Sequence, residues 1–341
     1  MPTSLDTAGR HVDGVDGRRR VLLGDYPTPV ERLAGLGRAG VELWVKRDDL
    51  TAPLYGGNKV RKLEYVLGDA LAQGKTELLT AGAVGSHHVL ATTTYGTRNG
   101  FSVRAVLIAQ PRSEHAAQNL RAELAQGLVA HPSAPALAPF ALARHTGKNT
   151  YFVQVGGSSV LGAMGYVDGA RELAAQVRAG QVPAPDLVVV TLGSGGTAAG
   201  LAAGFALEGL PTKVLGVCVV DPSQVFAWYT HYLARKCAAR GGLAVGRAEI
   251  AARLATTHAY VGRGYGHPTE AGTRATEIAA DAGLVLDATY TAKSFAAALD
   301  VVAQGEHKVV LYWHTLSSAP MAPLLAGAPA ELPANLARLL R

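Results

Sequence analysis

Leu187-Val188-Val189-Val190-Thr191-Leu192-Gly193-Ser194-Gly195-Gly196-Thr197-Ala198-Ala199-Gly200 is the stretch whose reading decides the fold. Leu187–Thr191 is a short aliphatic, β-branched run ending at glycine, which reads as a buried strand. The small residues after it have the composition of a tight turn entering a helix. Such a turn aims backbone N–H groups and the positive end of a helix at one point, which suits a phosphate. Gly193, Ser194, Gly195, Gly196 and Thr197 are therefore candidate phosphate-binding residues. The stretch also satisfies G-x-G-x-x-A, and Asp221 follows the next strand at nearly the spacing of a ribose-binding acid, so a dinucleotide competes as ligand. Crowding of these glycines with Ser and Thr hydroxyls suits a monophosphate clasp better than a pyrophosphate.

Outward from this unit, β-rich runs alternate with Ala/Leu-rich helical stretches. Leu78–Thr80, Val103–Ile108 and Tyr151–Val155 read as strands before it. Val214–Val220, Leu284–Leu286 and Val309–Trp313 do so after it. Val60, Leu63, Val66, Leu67, Ala70 and Leu71 fall on one face at a period near 3.6, as in an amphipathic helix. The alternation predicts an α/β protein with mainly parallel sheets flanked by helices, and ligands beyond the carboxyl ends of the strands. A length of 341 residues is enough for two domains. The Pro- and Ala-rich stretch from His131 to Ala143 reads as a surface excursion.

Two further loops carry candidate chemistry. Tyr55-Gly56-Gly57-Asn58-Lys59-Val60-Arg61-Lys62 places Lys59 where the helical period begins. The positive helix end and the cationic neighbours Arg61 and Lys62 favour an unprotonated, nucleophilic amine; a plain surface lysine after a turn is the competing reading. Thr80-Ala81-Gly82-Ala83-Val84-Gly85-Ser86-His87-His88 is a small-residue turn after a strand. It suits a carboxylate held by N–H groups, with Ser86 or a histidine as proton carrier, or else a packed turn. Adjacent His87 and His88 diverge and have no third ligand at metal spacing, so no metal is expected.

Composition narrows the class. With 48% hydrophobic and 17% charged residues and a net charge of +6, the chain reads as a globular protein without a basic stripe for nucleic acid. The dense run Arg18-Arg19-Arg20 reads as part of a solvated N-terminal tail. Asp6, Arg10, Asp13 and Asp16 leave no apolar core for a secretory leader. No stretch is apolar for the eighteen or more residues a membrane span needs, and a cytoplasmic protein is expected. Cys218 and Cys237 form no framework or metal spacing and read as buried thiols.

Taken in order, Tyr26-Pro27-Thr28-Pro29, Leu43-Trp44-Val45-Lys46-Arg47-Asp48-Asp49-Leu50, the Gly-Gly-Asn-Lys loop, Gly156-Gly157-Ser158-Ser159, Leu161-Gly162-Ala163-Met164-Gly165-Tyr166, the glycine turn, Gly264-Tyr265-Gly266-His267-Pro268, Tyr290-Thr291-Ala292-Lys293 and His314-Thr315 resemble the fold-type-II pyridoxal-phosphate enzymes. Within them the likeness is to the D-cysteine desulfhydrase and 1-aminocyclopropane-1-carboxylate deaminase family, over about residues 26 to 320. The resemblance implies the tryptophan-synthase-β fold. The large domain would be residues 1–59 plus 167–341, with a small domain, 60–166, inserted. It implies pyridoxal 5′-phosphate on Lys59 as a Schiff base, with Lys59 also carrying the α-proton. Lys62 and Gly193–Thr197 would hold the phosphate. Ser86 would lie near the substrate carboxylate and the catalytic proton, with His87, His88 and Ser158 on the substrate side. Tyr290 would stand against the pyridine ring, Tyr265 would face the substrate, and Thr315 would supply a hydroxyl near the ring nitrogen. A homodimer acting on a small amino acid is implied as well.

The chain departs from the family pattern at informative places. Where deaminases have glutamate after the tyrosine, Thr291 follows Tyr290, which weakens the case for cyclopropane ring opening relative to β-elimination. Gln-Ser-Asn-His becomes Gly85-Ser86-His87-His88, so His87 stands where an asparagine neighbours the cofactor's 3′-oxygen. His-Thr-Gly-Gly becomes His314-Thr315-Leu316-Ser317. The leading expectation is α,β-elimination of the D-cysteine desulfhydrase kind, giving pyruvate, ammonia and a thiol or sulfide. Ring-opening deamination, β- or γ-replacement, a dinucleotide-dependent dehydrogenase and a catalytically silent cofactor-binding protein remain as alternatives.

Overall fold

The computed structural model describes residues 11–14 and 17–341. Asp6, Arg10 and Asp16, part of the charged leader, lie outside the described residues. The chain folds as two compact units. One takes in the described residues up to Gly24, then Lys59–Gly157 and Pro320–Arg341; the other is Asp25–Asn58 and Ser158–Ala319.

The strands in chain order are β1 (His11–Asp13), β2 (Arg19–Val21), β3 (Val30–Arg32), β4 (Glu42–Lys46), β5 (Glu77–Ala83), β6 (Ser102–Ile108), β7 (Val129–Pro132), β8 (Thr150–Phe152), β9 (Leu187–Leu192), β10 (Lys213–Cys218), β11 (Leu254–Thr257) and β12 (Val309–Trp313). The second unit holds a six-stranded sheet in the order β11-β10-β9-β12-β4-β3, parallel except where β3 pairs antiparallel with β4. The first unit holds a four-stranded parallel sheet, β7-β6-β5-β8, and the antiparallel ribbon β1-β2. Parallel strands need helical crossovers that cover both faces, which is why β9 reads as an unbroken apolar run and is buried throughout.

The helix after β9, Gly196–Leu207, is built from small residues because another helix, Val160–Arg178, crosses it closely. A Cβ at Gly200 would fall 2.3 Å from the Ala163 carbonyl, and one at Gly204 2.5 Å from the Ala170 Cβ. Across the same sheet, Leu43, Val45, Val189, Val217, Val310 and Tyr312 pack against Phe295, Ala298 and Val301 in one continuous core. Among the described residues, no helix is long and apolar enough to cross a membrane.

Two expectations are corrected. Leu284–Leu286 is not a strand: Gly283 takes a φ of +72°, and the Leu284 N–H turns back to the Ala279 carbonyl at 2.9 Å. Leu284 is buried as the apolar staple of that helix end, while Val285 is 63% exposed. Nor is Arg18-Arg19-Arg20 a free tail. Arg20 pairs with the fully buried Glu64, and Arg18 reaches Asp69 at 3.3 Å. Glu64 needs that partner, because burial alone pushes its carboxyl upward. The stretch from 131 to 143 is superficial, as expected, but holds a short helix, Ala138–His145, with no buried residue.

Candidate active site

In the second unit the candidate residues gather at the carboxyl ends of β9 and β12. The helix Gly196–Leu207 starts from Gly195, whose φ of +87° is a conformation that side chains disfavour. A Cβ on Gly195 would lie 2.1 Å from Thr230 Oγ1, and one on Gly196 2.6 Å from Ser158 Oγ. The backbone therefore approaches its neighbours more closely than any other residue allows. Gly195, at the N-cap position, has no side chain of its own to cap this helix. The Gly196 N–H donates to Ser158 Oγ at 3.1 Å, and Ser158 Oγ also meets Ser194 Oγ at 2.7 Å. An α-helix leaves its first N–H groups without intrahelical acceptors, so this turn fits a phosphate by its own geometry.

Tyr290 stands against the turn: a Cβ on Gly193 would touch its Cε1 at 3.5 Å. The Tyr290 hydroxyl donates to that of Tyr265 at 2.8 Å, with the rings edge-on and centroids 5.6 Å apart. Desolvation, then Tyr265, pushes the Tyr290 phenol well above its ordinary value, so it remains a hydrogen-bond donor. Asp287, not singled out by motif, sets this segment. Its carboxylate accepts the N–H groups of Thr289, Tyr290 and Thr291 at 3.1, 2.9 and 2.9 Å, and the Thr291 hydroxyl at 2.7 Å.

The loop ahead of Lys59 is fixed from both sides. Asn58 Nδ2 donates to Thr197 Oγ1 at 3.1 Å, and the Asn58 N–H to the Thr315 carbonyl at 3.1 Å. The Gly56 N–H donates to Ser317 Oγ at 2.8 Å. Gly57 has a φ of +85°, and a Cβ there would meet the Thr315 oxygen at 2.6 Å. Thr315 itself is buried at the end of β12. Asn58 is thus pinned to the glycine turn, and Lys59 follows it in the chain. Asn58 appears in the lysine motif, but only the structure gives it this task.

The first unit carries Lys59, Lys62 and the Ser86–His88 turn. Lys59 opens the helix Lys59–Ala72 and is half-buried. Lys62 is buried, its Nζ donates to the Gly156 carbonyl at 3.1 Å, and desolvation followed by Lys59 holds its amine well below the ordinary value. Ser86 caps the helix His87–Arg98 by accepting the His88 N–H at 3.2 Å. His88 is buried, with Nε2 on Thr80 Oγ1 at 2.8 Å and Nδ1 on Thr92 Oγ1 at 3.4 Å. Thr80 donates to the Val153 carbonyl, so His88 donates to Thr80 and is neutral. Desolvation, then Lys59 and Lys62, lowers its pKa well below the ordinary value. His87 is half-buried and meets His115 with Nε2–Nε2 at 2.9 Å. Gln110 and Asn119 flank the same turn: Gln110 Oε1 accepts the Gly85 N–H at 3.1 Å, and Asn119 Nδ2 donates to the Gly85 carbonyl at 2.9 Å. None of His115, Gln110 and Asn119 stands in a motif. No cluster of metal-ligating side chains occurs among the described residues.

A lysine opening a helix in the first unit, and in the second a glycine turn after a parallel strand with a tyrosine laid against it, are each features of the fold-type-II pyridoxal-phosphate enzymes. Residues 21–315 match the family described as pyridoxal-phosphate dependent enzyme. The chain belongs to that family, and the dinucleotide alternative falls. It is 36% identical to the nocardicin C-9′ epimerase of Nocardia uniformis subsp. tsuyamanensis, covering 92% of this chain and 97% of that protein. It is 35% identical to the D-cysteine desulfhydrase of Salmonella newport (strain SL254), covering 87% and 93%. A crystal structure of a homologue of ACC deaminase superposes with a TM-score of 0.75 at 29% identity, over 90% of this chain and 95% of that one. Threonine deaminase isoform 2 from Solanum lycopersicum, with a TM-score of 0.60 at 17% identity over 88% of each chain, shares the fold.

Proposed function

We propose that this enzyme is a carbon–sulfur lyase of the D-cysteine desulfhydrase kind, removing the α-proton of a small amino acid and releasing a β-thiol or sulfide, with pyruvate and ammonia as end products. The observation that carries the reading is the pinning of Asn58 to Thr197 Oγ1 and the Thr315 carbonyl, which ties the residue before Lys59 to the phosphate turn. When bound, pyridoxal 5′-phosphate supplies an electron sink for the α-carbon.

The chain's own residues do the rest. Gly193–Thr197 would hold the phosphate through N–H groups, and the suppressed charge of Lys62 would return beside an anion. Lys59 Nζ would take the α-proton. Ser86, capping its helix, would hold the substrate carboxylate, and Tyr265 would bound the substrate side next to Tyr290. His88, with both ring nitrogens on threonines, would position the Ser86 turn. Thr291 brings no carboxylate to the segment after Tyr290, and its hydroxyl is held by Asp287, which supports elimination over ring opening. A homodimer in the cytoplasm completes the reading; sedimentation of the loaded enzyme at twice the monomer mass checks the first part.

A second reading, epimerisation at an amino-acid α-carbon, is favoured by the likeness to nocardicin C-9′ epimerase. Both reactions begin with loss of the α-proton.

The deciding experiment is the visible spectrum of cofactor-loaded enzyme beside Lys59→Ala, with D- and L-cysteine, β-chloroalanine and 1-aminocyclopropane-1-carboxylate then tried as substrates. A lysine-dependent band is expected, with turnover lowered about 10²–10⁴-fold in the variant. A band that survives the substitution refutes the assignment of Lys59, and efficient turnover of the cyclopropane refutes the argument from Thr291.

A further inference from the structure

Lys293 closes the motif Tyr290-Thr291-Ala292-Lys293, and the proposed function gives it no task. It is buried in the first turn of the helix Thr291–Gln304. An ammonium is costly there, since burial strips its water and the positive end of the helix repels it. Desolvation accordingly lowers its pKa, with Asp287 and Asp221 acting the other way. Lys293 Nζ donates to the Val261 carbonyl at 2.8 Å and to the Gly264 carbonyl at 3.1 Å, both in one loop of the second unit. A methionine would fill nearly the same volume without the cost of the charge, so what the ammonium adds is this pair of hydrogen bonds.

The loop is one that needs holding, because it carries Tyr265 between two glycines. Gly264 and Gly266 take φ of +103° and +79°, so the backbone on either side of the tyrosine has little stiffness of its own. The loop's internal bonds are long: the Gly264 N–H reaches the Val261 carbonyl at 3.2 Å, and the His267 N–H the Gly264 carbonyl at 3.4 Å. Its firmer ties run to the helix Thr291–Gln304 and to the residue that precedes it. The Tyr260 hydroxyl donates to Asp300 at 2.5 Å and holds the start of the loop. Tyr290 donates to the Tyr265 hydroxyl at 2.8 Å, and Lys293 grips the carbonyl of the peptide that joins Gly264 to Tyr265. Tyr265 is thus fastened at its hydroxyl by one residue and at its backbone by another, three positions apart at one helix start.

We infer that Lys293 is a positioning residue for substrate binding: its ammonium holds the loop so that Tyr265 meets Tyr290, and so sets where Tyr265 bounds the substrate. No bond or proton changes at Lys293 itself. The role of Tyr265 toward substrate rests on the proposed function, whereas the tie between Lys293 and Tyr265 is a property of the protein before any substrate arrives. Lys293→Met removes the tie and little else. The Val261 carbonyl keeps the Gly264 N–H, the Gly264 carbonyl keeps the His267 N–H, and Tyr260 keeps its hold on Asp300. The loss therefore falls on substrate binding and not on the proton transfer assigned to Lys59, which means on KM more than on kcat.

The test uses the full chain loaded with pyridoxal 5′-phosphate and labelled with 3-fluorotyrosine. Before substrate is added, the ¹⁹F resonances of Tyr265 and Tyr290 are assigned by their loss in Tyr265→Phe and Tyr290→Phe. Lys293→Met should shift or broaden both, and should leave Tyr151, in the other unit, unchanged. Unlabelled enzyme with D-cysteine then gives the kinetic reading. Lys293→Met should raise KM about fivefold or more with kcat within about threefold of wild type. In a Tyr265→Ala background the same substitution should change KM less than about twofold, because its effect runs through the tyrosine. If Lys293→Met does not fold, Lys293→Gln takes its place with the same expectations. A Tyr265 resonance at its wild-type position, a loss carried by kcat alone, or an equal rise of KM with and without Tyr265 each overturns the inference. Wild-type enzyme that leaves D-cysteine untouched refutes instead the proposed function, and the ¹⁹F spectra still decide whether Lys293 holds Tyr265.

Discussion

Gly85→Ala tests the packing that brings His115 to His87. The added Cβ would lie 2.5 Å from the Ala116 Cβ, 2.6 Å from its Cα and 2.9 Å from Gln110 Nε2. Ordinary carbon contacts are about 3.5–4.0 Å, so the two backbones must separate by roughly 1 Å. Gln110 is a flexible side chain and can yield, but Ala116 belongs to a helix and moves only with its neighbours. Overpacking of this kind costs about 1–3 kcal/mol. At ~2–4 °C per kcal/mol for a protein of this size, the unfolding midpoint should fall by about 2–12 °C. The same shift would stretch the 2.9 Å contact between the imidazoles beyond hydrogen-bond range. Thermal unfolding followed by circular dichroism reads the first effect, and ¹⁵N spectra of the histidines read the second. A midpoint within 1 °C of wild type together with unchanged ¹⁵N shifts of His87 and His115 would refute the claim that glycine is required for this approach.

Two further outcomes concern buried titrating groups. His88 has its folded pKa lowered well below the ordinary value, whereas the unfolded chain takes up that proton near pH ~6.5. Below that pH the unfolded state binds more protons, so stability should fall as pH drops from 7.5 to 5.5, and His88→Asn should flatten the slope; an unchanged slope counts against the assignment. Glu123 is the opposite case, since burial raises its carboxyl well above the ordinary value and neither oxygen has a hydrogen-bond partner. Its folded form holds a proton that the unfolded chain releases above pH ~4.5, so stability is lost as pH rises. Glu123→Met should therefore raise stability at pH 8 by about 1 kcal/mol or more, with a smaller gain at pH 5, and denaturant titration that finds a loss at pH 8 would refute it.

The strands that flank the chemistry were readable because burial on both faces writes an unbroken apolar run, as in Leu187–Leu192 and Val309–Trp313. The glycine turn was readable for a related reason, since close backbone approach admits one residue type. Of the edge strands, β8 was legible as Tyr151–Val155, but β7 and β11 were not. Leu-Ala-Thr-Thr at β11 and Val-Ala-His-Pro at β7 are short and partly polar, because one side of an edge strand need not be apolar. Leu284–Leu286 misled in the other direction, as an apolar triplet can staple a helix end as well as form a strand. At the site, residues in contiguous motifs could be named in advance, whereas Gln110, Asn119 and His115 could not. Their only trace in the sequence is Gly85 itself, a glycine in place of a glutamine, which signals that something comes close without saying what.

The departures from the family pattern have a common physical form. The Ser317 hydroxyl accepts the Gly56 N–H, Gly85 yields its space to Ala116 while its backbone is held by Gln110 and Asn119, and the Thr291 hydroxyl is bound by Asp287. In each case the replacing residue is tied to the chain's own framework. A buried polar group left without a partner would cost about 1–3 kcal/mol, so substitutions that supply their own partners can persist without loosening the loops that carry them. His87 differs, because its partner His115 is an exposed imidazole and not a backbone group. A link to backbone fixes geometry alone; a link between imidazoles also opens a path for protons. Under the proposed function, His87 is therefore the departure that would bear on proton movement at the α-carbon, while Thr291 would bear on how strongly the electron pair left there is held.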